Sequence, residues 1–273
     1  MSTKQTPVEH VEKASGHSKA CCSIPPILSE KEYKAKGAFE TIDSIKTYVT
    51  GSPDATIGIF VVADIFGYYP QTLQGADILA STSAYRVFVP DFFDNDPCPR
   101  EWYPPTSATA DKLGNWFKQH GDFPEAVEKT NRFLNSFKKQ SPKIEKWVGV
   151  GYCWGGKVIA LTSQENTPWA VSVQLHPAGV SGADATKITV PHMLLASGDE
   201  SKDDVAEFEK NLKGEKHVQT WEKMIHGWMA ARGDLDNPEV VKEYENGYQT
   251  VLGFLKKNLL QSHHHHLMGL KAA

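Results

Sequence analysis

Three short segments of this chain carry residues able to do covalent chemistry. Gly151-Tyr152-Cys153-Trp154-Gly155-Gly156 has the spacing glycine, any residue, nucleophile, any residue, glycine. An apolar run, KWVGVGY (146–152), leads into it, and GGKVIALTS (155–163) leads out with the apolar content of a helix. A sharp strand-to-helix turn holds its central residue in strained backbone angles and needs neighbours without Cβ atoms. It presents that residue beside a helix N-terminus, where the dipole favours a thiolate and N–H groups can receive an oxyanion. Cys153 also fits a small buried residue at an ordinary turn; the flanking strand and helix favour the nucleophile.

A thiol nucleophile needs a base, and the base an acid that orients it. On strand–turn–helix scaffolds these follow in the order nucleophile, acid, histidine. Asp199 comes directly after the apolar stretch VPHMLLAS (190–197) and Gly198, and His226-Gly227 follows HVQTWE (217–222). The expected triad is therefore Cys153, Asp199 and His226. Glu200 and Asp203 compete with Asp199 as acid or as helix cap, and Asp199 itself could be the N-cap of a helix over 201–213. His176, His192 and His217 compete with His226, the last two falling within or at the start of strands. The scheme demands a thiol within bonding reach of the residue-226 imidazole and open to solvent.

The elements that must hold these residues alternate along the chain. Strands are expected at 45–50, 57–64, 86–90, 146–152, 170–176, 190–197 and 217–222. Helices are expected at 71–83, 107–118, 122–139, 155–163, 204–213 and 238–258. Such alternation implies an α/β fold with a mainly parallel central sheet and helices on both faces. No linker or composition break divides it, so residues 21–260 read as a single domain. Residues 1–20 are polar and aperiodic and read as a mobile tail. Residues 261–273, with four consecutive histidines, read as a second tail, tag-like in composition and set aside from site arguments.

With 273 residues, 40% hydrophobic and 23% charged, the chain has ordinary globular usage, which excludes disordered and fibrous classes. A net charge of −4 without a basic stripe argues against nucleic acid as a partner. Cys21, Cys22, Cys98 and Cys153 are too few and too oddly spaced for a disulfide scaffold. No apolar stretch approaches the ~20 residues of a membrane span, and no secretory signal is evident. A cytoplasmic protein with a small-molecule substrate is expected, monomer or homodimer, with no cofactor. Outside the tail no ligand spacing suggests a metal, and no phosphate loop or dinucleotide fingerprint appears.

GYCWGGK, ASGDES and HGWMAARGD, with VADIFG and RVFVPDFF upstream and ACCSIPP near the start, resemble the dienelactone hydrolase family, especially its fungal branch. The resemblance spans about residues 20–258 and implies the α/β-hydrolase fold. It places the nucleophile on Cys153, the acid on Asp199 and the base on His226. It puts the oxyanion hole on the backbone N–H groups of Ile65 and Trp154. Bacterial members carry a glutamate just before the first of these, which takes the thiol proton; here the slot holds Asp64, a candidate relay or simply a strand-ending carboxylate bonded to loop amides. After Pro90-Asp91 this chain lacks the arginine those members use for a substrate carboxylate, which leaves Arg232 as a candidate anion contact. Phe92 and Trp228 are candidate pocket walls, with ordinary core as the alternative for each. The implied activity is opening of a small lactone or cleavage of a small ester through a thioester acyl-enzyme. The alternatives are a broad carboxylesterase or thioesterase, or a silent binding protein of the same fold.

Overall fold

The computed structural model describes residues 5–15 and 23–268. Eight strands form one sheet: β1 (Ala38–Ile42), β2 (Ile45–Gly51), β3 (Ile57–Val62), β4 (Tyr85–Pro90), β5 (Lys146–Tyr152), β6 (Val171–Leu175), β7 (His192–Ser197) and β8 (Lys216–Trp221). Their order across the sheet is β1-β2-β4-β3-β5-β6-β7-β8. From β4 onward all neighbours are parallel, while β1–β2 and β2–β4 are antiparallel. The central strands are apolar on both sides because helices cover both faces, so their sequences run continuously hydrophobic rather than alternating.

One face carries α1 (Pro7–Ser15), α3 (Ala110–His120), α4 (Phe123–Gln140) and α5 (Trp154–Thr162); the other carries α2 (Pro70–Leu79) and α8 (Pro238–Met268). The short α6 (Gly182–Ala185) and α7 (Lys202–Asn211) pack beside α5 on the same face, over β7 and β8. Local chemistry sets the helix starts. The Asp122 carboxylate accepts from Glu125 N–H at 2.9 Å with proline in the first turn of α4, and Ser201 Oγ accepts from Asp204 N–H at 3.3 Å to cap α7. Ser201, not Asp199, therefore caps α7.

Two expectations about the termini need correction. Residues 7–15, placed within a mobile tail, form α1, and Val11 is buried in the same cluster as Phe117 and Trp116 of α3. An amphipathic stripe over nine residues is too short to stand out in a polar sequence; packing on α3 supplies the stability its own propensity lacks. At the other end α8 runs to Met268, through the histidine run, beyond the expected boundary at 260. Cys21 and Cys22 lie outside the described residues. The hairpin strand β1 was also absent from the expected elements. Its residues AFETI are mostly exposed, as befits a sheet edge with little core signal.

The parallel register brings five loops to one edge of the sheet. Val62 pairs with Gly151, Tyr152 with Leu175, Leu175 with Leu195 and Ser197 with Trp221. The carboxyl ends of β3, β5, β6, β7 and β8 thus lie side by side, and every candidate of the expected triad follows one of them.

Candidate active site

Cys153 caps α5 with φ 53° and ψ −115°, a left-handed backbone that non-glycine residues rarely adopt. Its carbonyl accepts from Gly156 and Ala178 N–H at 3.0 and 2.9 Å, and its own N–H donates to Leu175 O at 3.1 Å. A Cβ on Gly151 would collide with the Gly155 carbonyl, and one on Gly155 with the Val62 carbonyl. Both glycines are therefore demanded by close backbone approach, as the elbow spacing required.

The acid is where the structure departs from expectation. His226 Nδ1 lies 2.5 Å from Glu200 Oε1, both side chains buried. Asp199 Oδ2 instead accepts the backbone N–H of His226 at 2.8 Å. The chain turns after Gly198, so the two carboxylates point to different targets. Asp199 clasps the backbone of the histidine loop, and Glu200, one methylene longer, reaches the ring. Ser197 N–H donates to the second oxygen of Glu200, which fixes the carboxylate. Glu200 thus takes the position expected for Asp199. The sequence offered one signal for this: with Ser201 available as cap, Glu200 has no local role.

The other ring nitrogen, Nε2, has no oxygen or nitrogen partner among the described residues and interacts with the Cys153 thiol. Burial opposes a charge on His226, but the negative sulfur of Cys153 and the Glu200 carboxylate outweigh it and carry the imidazole up to about 10. The three groups form a buried relay able to hold a proton on the imidazole and negative charge on the sulfur.

Asp64 ends β3 fully buried. Its Oδ1 accepts from Phe66 N–H at 3.0 Å and its Oδ2 from Ala231 N–H at 3.3 Å, as for a strand-ending carboxylate tied to loop amides. Burial, then the charge of Cys153, push it up to about 6 despite Arg232 and the two amides. It therefore feels Cys153 while serving the loop. The Ile65 N–H takes no part in this turn, and the first-turn amide of Trp154 has no intrahelical acceptor. Ile65 lies in the loop after β3 and Trp154 opens α5 directly after Cys153.

Of the three substrate-contact candidates, Arg232 lies within electrostatic reach of Asp64 and His176, while Phe92 and Trp228 face core. Arg232 is buried, donates from Nε to Ile24 O at 2.5 Å, and lies over the Phe66 and Tyr103 rings at 4.9 and 5.7 Å. It ties down the N-terminal segment. Phe92 is wedged between Phe60, Phe133 and Trp154 as core beneath α4. Trp228 packs on Trp221 and against Gly247 of α8, in the cluster on the opposite face from Cys153. Aromatic residues near a motif in sequence point to whichever layer their strand or loop faces, and these two face core.

Cys153 and His226 are both completely shielded from solvent, against the expected opening. The segment 24–30 is tied to the loop that follows His226. Ile27 N–H donates to Ala231 O at 2.9 Å, Gln71 Nε2 bridges Ile27 O and Gly233 O, and Asp236 accepts from Ser29 Oγ and Glu30 N–H. Among the described residues no group of three or more His, Cys, Asp or Glu could hold a metal ion, and no helix is long and apolar enough to cross a membrane.

Residues 45–259 match the family model described as the dienelactone hydrolase family. The chain belongs to that family. A Schizosaccharomyces pombe relative, "Uncharacterized AIM2 family protein C30D10.14", is 33% identical over 87% of this chain and 98% of its own. The human "Carboxymethylenebutenolidase homolog" is 23% identical over 83% of this chain and 93% of its own. Among solved structures, the dienelactone hydrolase of Anabaena variabilis superposes with a TM-score of 0.58 at 11% identity, covering 84% of this chain and 99% of that one. The sheet and its helices are those of the α/β-hydrolase fold, and the family makes this chain a hydrolase of the dienelactone hydrolase type.

Proposed function

We propose that this dienelactone hydrolase family member cleaves a small carboxylic ester or lactone with Cys153 as nucleophile, His226 as proton carrier and Glu200 as its orienting acid. The observation that carries the reading is the buried line from Glu200 through the 2.5 Å contact to His226 and on to Cys153 at a strained elbow.

The Cys153 sulfur attacks the carbonyl carbon, and the carbonyl electrons move onto oxygen. The N–H groups of Ile65 and Trp154 are the donors for that oxyanion; one such donor stabilises the transition state by about 2.7–4 kcal/mol. Collapse re-forms the carbonyl and expels the alkoxide or enolate, which takes the proton from His226 Nε2. The product at this point is a thioester on Cys153. Water then attacks the thioester with His226 accepting its proton, and the acid leaves as the thiol is restored. Glu200 holds Nδ1 throughout, so the imidazole keeps Nε2 toward sulfur. The human relative's name, a carboxymethylenebutenolidase homolog, supports a lactone among the substrates.

Replacing Cys153 by Ala is expected to lower hydrolysis of lactones and phenyl esters by about 10³-fold or more while the fold is retained. Undiminished turnover in that variant would sink the reading. The complete burial of the thiol favours a second reading, a protein of this fold that binds without turnover. Iodoacetamide separates the two: rapid alkylation of Cys153 in the native protein supports the enzyme, and an inert thiol supports the binder.

A further inference from the structure

His176 is a buried titratable side chain that the reaction above leaves unused. It follows β6 at the active edge of the sheet with φ 35°, a left-handed conformation. Its N–H donates to Leu195 O at 2.7 Å, and two residues on Ala178 N–H donates to the Cys153 carbonyl. The segment is thereby tied to β7 on one side and to the elbow on the other. Its ring is fully shielded and stands edge-to-face on His226, centroids 5.5 Å apart, with Tyr152 at 5.9 Å. Burial first, and the neighbouring His226 and Arg232, hold it uncharged, although Cys153 pulls the other way.

Neither nitrogen of His176 has a hydrogen-bond partner in another described residue. The other imidazole buried in this sheet behaves differently. His192 places Nδ1 2.7 Å from Ser172 Oγ and Nε2 2.9 Å from Gln174 Oε1. A side chain that only filled space beside His226 would gain nothing from two polar atoms, since an unpaired buried polar group disfavours the folded state. The ring that carries these unpaired nitrogens stands against His226 and feels the charge of Cys153, beside the sulfur to which an acyl group would bond.

We propose, resting on the hydrolase reading above, that His176 contacts substrate. Its imidazole exchanges a hydrogen bond with a polar group on the carbon next to the scissile carbonyl. The preferred substrates are then esters and lactones of 2-hydroxy or 2-oxo acids rather than plain acyl esters.

Phenyl glycolate and phenyl acetate share a leaving group and differ only at that carbon. The wild-type protein is expected to favour the glycolate in kcat/KM. His176→Phe keeps a ring against His226 and removes both nitrogens; it should lose about tenfold or more on the glycolate and little on the acetate. His176→Asn restores a donor and an acceptor in a residue that tolerates the backbone angle, and should recover part of the loss. The rate of Cys153 alkylation by iodoacetamide should match wild type in both variants. Equal losses on the two esters, no loss on either, or slowed alkylation in both variants would overturn the assignment of His176. If the wild-type protein alkylates but hydrolyses neither ester, the hydrolase reading itself fails and takes the assignment with it.

Discussion

At Glu200 and Asp199 two adjacent carboxylates serve one histidine through different atoms, and their variants should separate cleanly. Glu200→Gln removes the charge that holds the imidazole and is expected to lower kcat by about 10²–10⁴-fold. Asp199→Asn leaves an acceptor for the His226 N–H, so hydrolysis should fall less than about tenfold. Steady-state rates on one phenyl ester decide it, and the reverse order of effects would return the acid role to Asp199. The proton balance of the pair is testable directly. His226 is carried up to about 10 by Cys153 and Glu200 against burial, so the imidazole keeps its proton across the neutral range, and a cation beside the sulfur favours a thiolate. Alkylation of Cys153 should then vary little between about pH 6 and 9, and His226→Ala should bring back the steep rise of an ordinary thiol near 8.5. A steep rise in the wild-type protein would contradict the charge state described here. The elbow at Cys153 and the strand-end position of His226 were legible in the sequence because glycine spacing and strand-end position are local properties. Which of two neighbouring carboxylates meets the ring depends on how the chain turns after Gly198, and spacing does not record that.

At the scale of elements, substrate must reach a buried thiol. Residues 24–30 are tied to the 231–236 loop by the Ile27–Ala231 and Ile24–Arg232 hydrogen bonds and by Asp236, which anchors Ser29 and Glu30 at 2.8 and 2.6 Å. Cys153 is shielded, so substrate entry requires a local opening, and this segment, tied to the loop after His226, is the candidate to move. Asp236→Ala removes two anchors and touches no reacting group. It should raise the rate of Cys153 alkylation several-fold and cost about 1 kcal/mol of stability in urea. An unchanged alkylation rate would place the entrance elsewhere. Most helices and strands could be expected from hydrophobic periodicity, since each buries a regular face. The segment 24–30 could not, because its residues are held by backbone hydrogen bonds to a loop some 200 residues away and carry no periodic signal of their own. Arg232 shows the same limit. Its position after His226 suggested an anion contact, while the fold directs its Nε to the Ile24 carbonyl.

For the molecule as a whole, the parallel sheet concentrates buried charge at one edge, and stability should record it. Asp64 binds its proton up to about pH 6 in the folded chain and to about 3.8 in an unfolded one. Between those values the native state holds more protons than the unfolded one, so stability falls as pH rises from about 4 to 6, by up to about 3 kcal/mol. Urea midpoints across that range should show the fall, and Asp64→Asn should flatten it; a slope unchanged in the variant would assign it to other groups. By itself the amino-acid sequence determined the α/β layering, the elbow with its demanded glycines, and the strand-end positions of Cys153, Asp199-Glu200 and His226. These follow from short-range sterics and from the periodicity of burial. Tertiary structure alone decided that Glu200 rather than Asp199 meets the imidazole, that Phe92 and Trp228 are core, that His176 stands beside His226, and that the Cys153 thiol is shielded from solvent. Each of these is a meeting of residues distant in the chain or a choice of side-chain direction, set by packing after the sheet has formed.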